Sequence, residues 1–230
     1  MENIRFTDTP SGYISIVEEP YKEIKDGILQ LKPYVIGADT AGSGKDYFTA
    51  KVIDNTNGKC VATLHKQFMD EDLFAEQLYC LGRYYNNALL GVEINYSRHP
   101  VIHLSALGYE NLYSSHHMSQ YHGKVVKQHG FLTTAVNRPI IISNLVSVMR
   151  ENVRLETDKQ TLYEMLTFIK HDDGKSAAAN GAHDDLVMAS AIARFISADY
   201  HHTIIKSDAN EDFLSKNFSF EPKKETYLEW

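Results

Sequence analysis

The sequence predicts an α/β fold with a mixed central sheet flanked by helices, and three local features point to it. Tyr34-Val35-Ile36-Gly37-Ala38-Asp39 is a short apolar run ending in an acid, the pattern of a buried strand. Two β-rich segments follow, separated by a turn at Asn55-Thr56-Asn57-Gly58 whose Asn-Gly pair favours a hairpin. These three strands make an antiparallel start. Ala88–Asn95 is then apolar almost without interruption until Glu93, as expected of a strand covered on both faces and paired in parallel.

In chain order, residues 1–32 are weakly periodic and punctuated by Pro10, Gly12, Pro20 and Gly27, so they are expected to form a linker or irregular lead-in. Residues 33–205 carry the ordered domain. Its first strand, Tyr34–Asp39, leads through the small-residue turn Thr40–Gly44 to strands at Tyr47–Asp54 and Lys59–His65. Asp70 can cap a helix to Tyr85, because Leu73, Phe74, Gln77, Leu78 and Leu81 fall at helical spacing. The Ala88–Asn95 strand precedes a short helix at Pro100–Leu107. Gly123–Thr133 suggests a hairpin, and Arg138-Pro139 opens a helix to about Asn152, with proline suited to a first turn. A short helix and strand occupy Lys159–Lys170, and His171–Gly181 is a small, polar loop. Asp184–Ala198 is a helix with the apolar stripe Met188, Ala191, Ile192 and Phe195. Residues 206–230 are expected to be a tail.

Composition narrows the function classes. Net charge is -7, from 23 Lys+Arg against 30 Asp+Glu, so a uniformly basic nucleic-acid coat is excluded and any DNA contact must be local. Two cysteines, Cys60 and Cys80, exclude a disulfide scaffold or a thiolate zinc cluster and suit a reducing compartment. No apolar run approaches the roughly 20 residues of a membrane span, and the first residues lack the basic and apolar regions of a signal peptide. A soluble intracellular protein without a membrane partner is expected. Gly42-Ser43-Gly44-Lys45 is no phosphate loop: Asp39 stands where the motif needs its first glycine and Asp46 where it needs Ser or Thr, so no nucleotide binding is expected.

The chemistry rests on acids. Asp39 ends the first strand, Glu93 lies near the end of the fourth, and Asp184 and Asp185 open the last helix. Each alone is an ordinary strand terminus or helix cap. Gathered at one sheet end they would resist ionisation unless a cation neutralised them. Hard ions such as Mg²⁺ take oxygen ligands, and one or two such ions can activate a water toward a phosphodiester. Helix geometry leaves Asp184 and Asp185 open: at about 100° per residue they flank the apolar stripe on opposite sides. Asp184 is favoured as the main ligand, with Asp185 as a second ligand or as a residue behind the ligands. Asp46 is a further candidate, His183 could orient a nucleophile or phosphate, and His116-His117 is taken as solvated surface.

The residues also resemble a known family. Val35–Tyr47, Tyr84-Tyr85-Asn86-Asn87-Ala88, Val92-Glu93-Ile94-Asn95, Gly108–Tyr113, Arg138-Pro139 and Gly181–Ala189 occur in the order found in the C-terminal nuclease domain of the large terminase subunit of tailed bacteriophages. That family has an RNase H-like fold. The resemblance implies that Asp39, Glu93, Asp184 and Asp185 are catalytic and hold Mg²⁺ or Mn²⁺. It implies cleavage of double-stranded viral concatemer DNA during genome packaging, in the host cell cytoplasm. A packaging ATPase domain, a portal and a small terminase subunit are the implied partners. Lys45, Lys124, Lys127 and Arg138 are candidates to steer DNA. Other expectations are a Holliday-junction resolvase or transposase, which share the acid layout, and a non-catalytic docking module using the tail aromatics Phe213, Phe218, Phe220, Tyr227 and Trp230.

Overall fold

The computed structural model describes residues 4, 6–42, 46–118, 125–171, 174–198, 200 and 203–208, with backbone alone at 116–118, 125–127 and 205–208. Its strands are β1 (Ile14–Ile16), β2 (Lys22–Lys25), β3 (Ile28–Leu31), β4 (Tyr34–Asp39), β5 (Phe48–Asp54), β6 (Cys60–Lys66), β7 (Leu89–Val92), β8 (Ser114–Met118), β9 (Val125–His129), β10 (Phe168–Lys170), β11 (Ser176–Ala178) and β12 (Ile205–Asp208). The helices are α1 (Glu71–Tyr84), α2 (His99–Ala106), α3 (Asn137–Glu151), α4 (Lys159–Thr167) and α5 (Asp185–Ser197), with a 3-10 turn at Val153–Leu155. Among the described residues no helix is long and apolar enough to cross a membrane.

The central sheet runs β1-β6-β5-β4-β7. β4 and β5 pair antiparallel, as do β5 and β6, and β4 pairs with β7 in parallel. This is the mixed sheet the sequence predicts. All six residues of β4 are buried, and the period of two sorts them between layers. Tyr34, Ile36 and Ala38 pack in one core with Phe74, Leu78 and Leu81 of α1. Val35 packs in the other core with Val187, Met188 and Ile192 of α5. Asp70 caps α1 as expected, its carboxylate accepting a hydrogen bond from Leu73 N at 2.7 Å.

α5 lies so close to the sheet because residue 37 has no side chain. A Cβ there would fall 2.3 Å from both the Ala189 carbonyl oxygen and the Ala193 nitrogen. Small residues on both sides thus bring helix and strand together, and they fix where the α5 N-terminus sits.

The structure differs from the sequence expectation in four places. Residues 1–32 are not irregular throughout: β1 joins the central sheet beside β6, and β2 and β3 form a second sheet with β12. These strands have three or four residues each, too short for a period-two signal to register. The Ser-rich segment before the expected 123–133 hairpin is strand β8, paired with β9. Part of the expected 171–181 loop is β11, paired with β10. β12 also carries ordered pairing to residue 208, inside the stretch expected to be a tail.

Candidate active site

Register brings the strand acids together. β4 and β7 run parallel with Ala38 opposite Val92, so Asp39 and Glu93 come next on neighbouring strands. Glu93 N donates to Ala38 O at 2.8 Å, which holds the two backbones level at that point. Leu90 and Val92 belong to the α1-side core, whereas Gly91 faces Ile192 and Ile196 of α5. By alternation Glu93 shares the α5 side with Asp39. Phe131 extends this end of the sheet, its N donating to Val92 O at 2.7 Å and its carbonyl accepting from Ile94 N at 3.0 Å. Both acids thus sit at the carboxyl end of parallel strands, where open α/β sheets place their ligand crevices.

Asp39 is 8% exposed, and burial is the first reason its carboxyl titrates well above the usual range. The neighbouring Glu93 carboxylate is the second, and Asp185 and Asp184 add to it. The other three predicted acids therefore all act on the Asp39 carboxyl.

α5 delivers the other two. Asp184 is its N-cap residue, yet its side chain makes no capping hydrogen bond. It instead accepts from Arg138 Nη2 at 2.9 Å, while the same nitrogen donates to Ser176 O at 3.3 Å. A purely capping role for Asp184 does not describe its geometry. Asp185 is turned to the other side: Oδ2 accepts from Tyr47 N at 3.2 Å and lies 3.5 Å from His183 Nδ1. Its carbonyl accepts from Thr49 Oγ1 at 3.0 Å, which ties the start of α5 to β5 beside Asp39. Burial raises the Asp185 carboxyl to about 6, with the Asp46 and Asp184 charges pushing the same way. Asp46 thus belongs to the same electrostatic neighbourhood, and its Oδ2 is folded against Gly42, 2.7 Å from where a Cβ would stand.

With Asp184 drawn to Arg138 and Asp185 to Tyr47, no three of these acids offer ligand atoms within 4.8 Å of one another among the described residues; the group that does is Asp72, His99 and His103. The donor chemistry nonetheless suits a hard divalent cation. Every donor is a carboxylate oxygen, and the burial and mutual repulsion that raise the Asp39 carboxyl are what such an ion would offset.

Glu164 of α4 is a site neighbour that no sequence pattern picks out. It is 4% exposed, and its Oε2 accepts from Leu186 N and Val187 N at 2.9 and 3.3 Å, capping α5 in the place of Asp184. Burial outweighs those two hydrogen bonds and raises its carboxyl to about 7. Its Oε1 is buried without a hydrogen-bond partner. Only the tertiary packing of α4 on α5 identifies this residue. Among the basic candidates, Arg138 lies in the site. Lys45, Lys124 and the tail aromatics Phe213, Phe218, Phe220, Tyr227 and Trp230 lie outside the described residues, as do the side chains of Lys127, His116 and His117.

Among solved structures, the chain is similar to the large terminase nuclease from thermophilic phage G20c, at 21% identity and a TM-score of 0.55, covering 81% of this chain and 95% of that one. The same nuclease with bound magnesium matches at 20% identity and a TM-score of 0.55, over 81% and 94%. The large terminase nuclease domain of Thermus phage P74-26 matches at 21% identity and a TM-score of 0.53, over 77% and 89%. No family model matches the chain, and no curated protein matches it significantly. At this identity the likeness speaks for architecture: the chain has the RNase H-like α/β fold of phage large terminase nuclease domains.

Proposed function

We propose that this chain is a divalent-metal-dependent DNA endonuclease that cuts double-stranded viral concatemer DNA during genome packaging. The observation that carries this reading is the register that sets Asp39 and Glu93 side by side at the sheet end, with the Asp184-Asp185 start of α5 tied to β5 beside Asp39. The similar G20c nuclease has been solved with magnesium, cobalt and zinc bound, which supports a metal-dependent reading. Asp39 and Glu93 would hold Mg²⁺ or Mn²⁺, joined by Asp184 and Asp185. Such an ion supplies a water of lowered pKa and a Lewis acid for the scissile phosphate.

The chain's own residues prepare that chemistry. Glu164 and Thr49 hold the α5 N-terminus, so Asp184 and Asp185 are carried beside the strand acids on a fixed helix end. Arg138 neutralises Asp184 and could follow the DNA backbone once that carboxylate turns to a ligand role. In this reading residues 33–205 carry the whole site. A packaging ATPase domain, a portal and a small terminase subunit would be its partners in the host cell cytoplasm. With a net charge of -7, its own affinity for DNA should be weak and steeply salt-dependent.

The test is plasmid cleavage in low salt with Mg²⁺ or Mn²⁺. Nicking and linearisation that vanish in Asp39→Ala, with the fold intact by circular dichroism, support the proposal. Intact plasmid at high protein concentration overturns it, and a strong preference for four-way junctions over linear duplex would favour a resolvase instead.

A further inference from the structure

Away from the acids, α1 and α2 pack together with two matched side-chain pairs at their contact. Asp72 and Glu76 lie four apart on α1, and His99 and His103 lie four apart on α2. That spacing puts each pair on one helix face. Asp72 Oδ1 is 2.5 Å from His99 Nε2 and 3.4 Å from His103 Nδ1. One ligand atom from each of Asp72, His99 and His103 falls within 4.8 Å of the others. An ion bound tetrahedrally at roughly 2.0–2.1 Å separates its ligand atoms by about 3.4 Å, so the His103–Asp72 distance already fits and His99 needs only a small outward rotation.

The remaining nitrogen of His103 supplies a second, independent observation. Its Nε2 is shut off from solvent with no hydrogen-bond partner, and the nearest acid oxygen is Glu76 Oε1 at 3.9 Å. A ring that gives Nδ1 to a metal must carry its proton on Nε2, and metal-bound imidazoles usually donate that proton to a carboxylate. Glu76 stands where that acceptor belongs.

We infer that Asp72, His99 and His103 form a second metal site, for a divalent d-block ion such as Zn²⁺, that clasps α1 to α2. Two imidazoles and one carboxylate suit Zn²⁺, Co²⁺ or Ni²⁺, whereas the oxygen-only acid cluster suits Mg²⁺ or Mn²⁺. The three side chains leave the fourth position to water. The clasp also braces the short segment between Glu93 and His99, whose Ser97 Oγ already donates to Glu71 Oε2 at 2.6 Å. It goes beyond the nuclease proposal and stands whether or not the chain cuts DNA.

The experiment uses the full chain stripped with a chelator and carrying Asp39→Asn, Glu93→Gln, Asp184→Asn and Asp185→Asn, which silences the acid cluster. Zn²⁺ titration by calorimetry should give one ion per chain and a raised unfolding midpoint, and Mg²⁺ should give neither. Adding His99→Ala and His103→Ala should remove both effects. Glu76→Gln, which keeps the ligands, should weaken Zn²⁺ binding by about 10-fold or more. Should the double histidine variant unfold, Asp72→Asn, which preserves shape, decides the matter by the same loss. Absence of Zn²⁺ binding in the acid-silenced chain, or binding that survives Asp72→Asn, overturns the inference.

Discussion

Replacing Gly37 by Ala tests the link between packing and the site. The added methyl would lie 2.3 Å from Ala189 O and Ala193 N and 2.8 Å from Ala193 Cα. All three are backbone atoms of α5, so no side chain can rotate away. Restoring ordinary contact requires the helix to retreat by roughly 1 Å, since such contacts settle near 3.5 Å. α5 is buried along nearly its whole length, so the shift disturbs the second core as well. Overpacking of this kind costs about 1–3 kcal/mol. The chemical effect should be larger, because the same helix carries Asp184 and Asp185, and a misplacement near 1 Å costs about 100-fold in rate. Urea unfolding and plasmid linearisation measure the two effects. Native-like stability together with native-like cleavage would show that helix placement does not set the site.

Other substitutions and conditions probe separate parts of the molecule. Asp39→Asn should abolish cleavage while leaving thermal stability unchanged or raised, because burial and Glu93 oppose the native charge; a large drop in the melting midpoint would contradict that account. Without metal, stability should fall as pH rises from about 4 through about 7. Folded Asp185 titrates at about 6 and folded Glu164 at about 7, both above their unfolded values, so the folded state binds more protons across that window. Urea midpoints in chelator at a series of pH values check the sign, and Glu164→Gln should flatten the slope. Lys51, fully buried in β5, donates to Glu156 Oε1, Thr63 Oγ1 and Thr161 Oγ1 at 2.8–2.9 Å. Lys51→Met should cost about 3–5 kcal/mol by stranding the Glu156 charge, and Lys51→Met with Glu156→Leu should recover most of it in denaturant titrations.

The parts of the fold legible in the sequence are those whose signal is local. β4 to β6 carry apolar runs and an Asn-Gly turn, α1 carries its cap and stripe, and α5 its apolar periodicity. Asp39, Glu93, Asp184 and Asp185 were visible because each interrupts or ends such an apolar element. What the sequence left open depends on tertiary contact. Asp184 and Asp185 could not be ranked from helix angle, because their separate fates come from Arg138 and from Tyr47, far away in the chain. Glu164 looks like any helical acid until α4 packs on α5. Lys51 left a trace, a lone cation inside an apolar strand, but its partners lie more than 100 residues on, apart from Thr63. β1, β2, β3 and β11 are too short to announce themselves and exist through the strands they pair with.

Ten of the thirteen residues of α5 are buried, although the helix lies near the end of the described chain. During synthesis the β4 to β7 framework leaves the ribosome first, with Val35, Gly37, Asp39 and Glu93 on a face that nothing yet covers. A nascent or prematurely stopped chain therefore holds half of its carboxylates on an open, sticky surface and lacks the rest. The late helix seals the apolar layer and completes the acidic cluster in one step, so an incomplete translation product should be inert toward DNA and a ready target for chaperones and proteases.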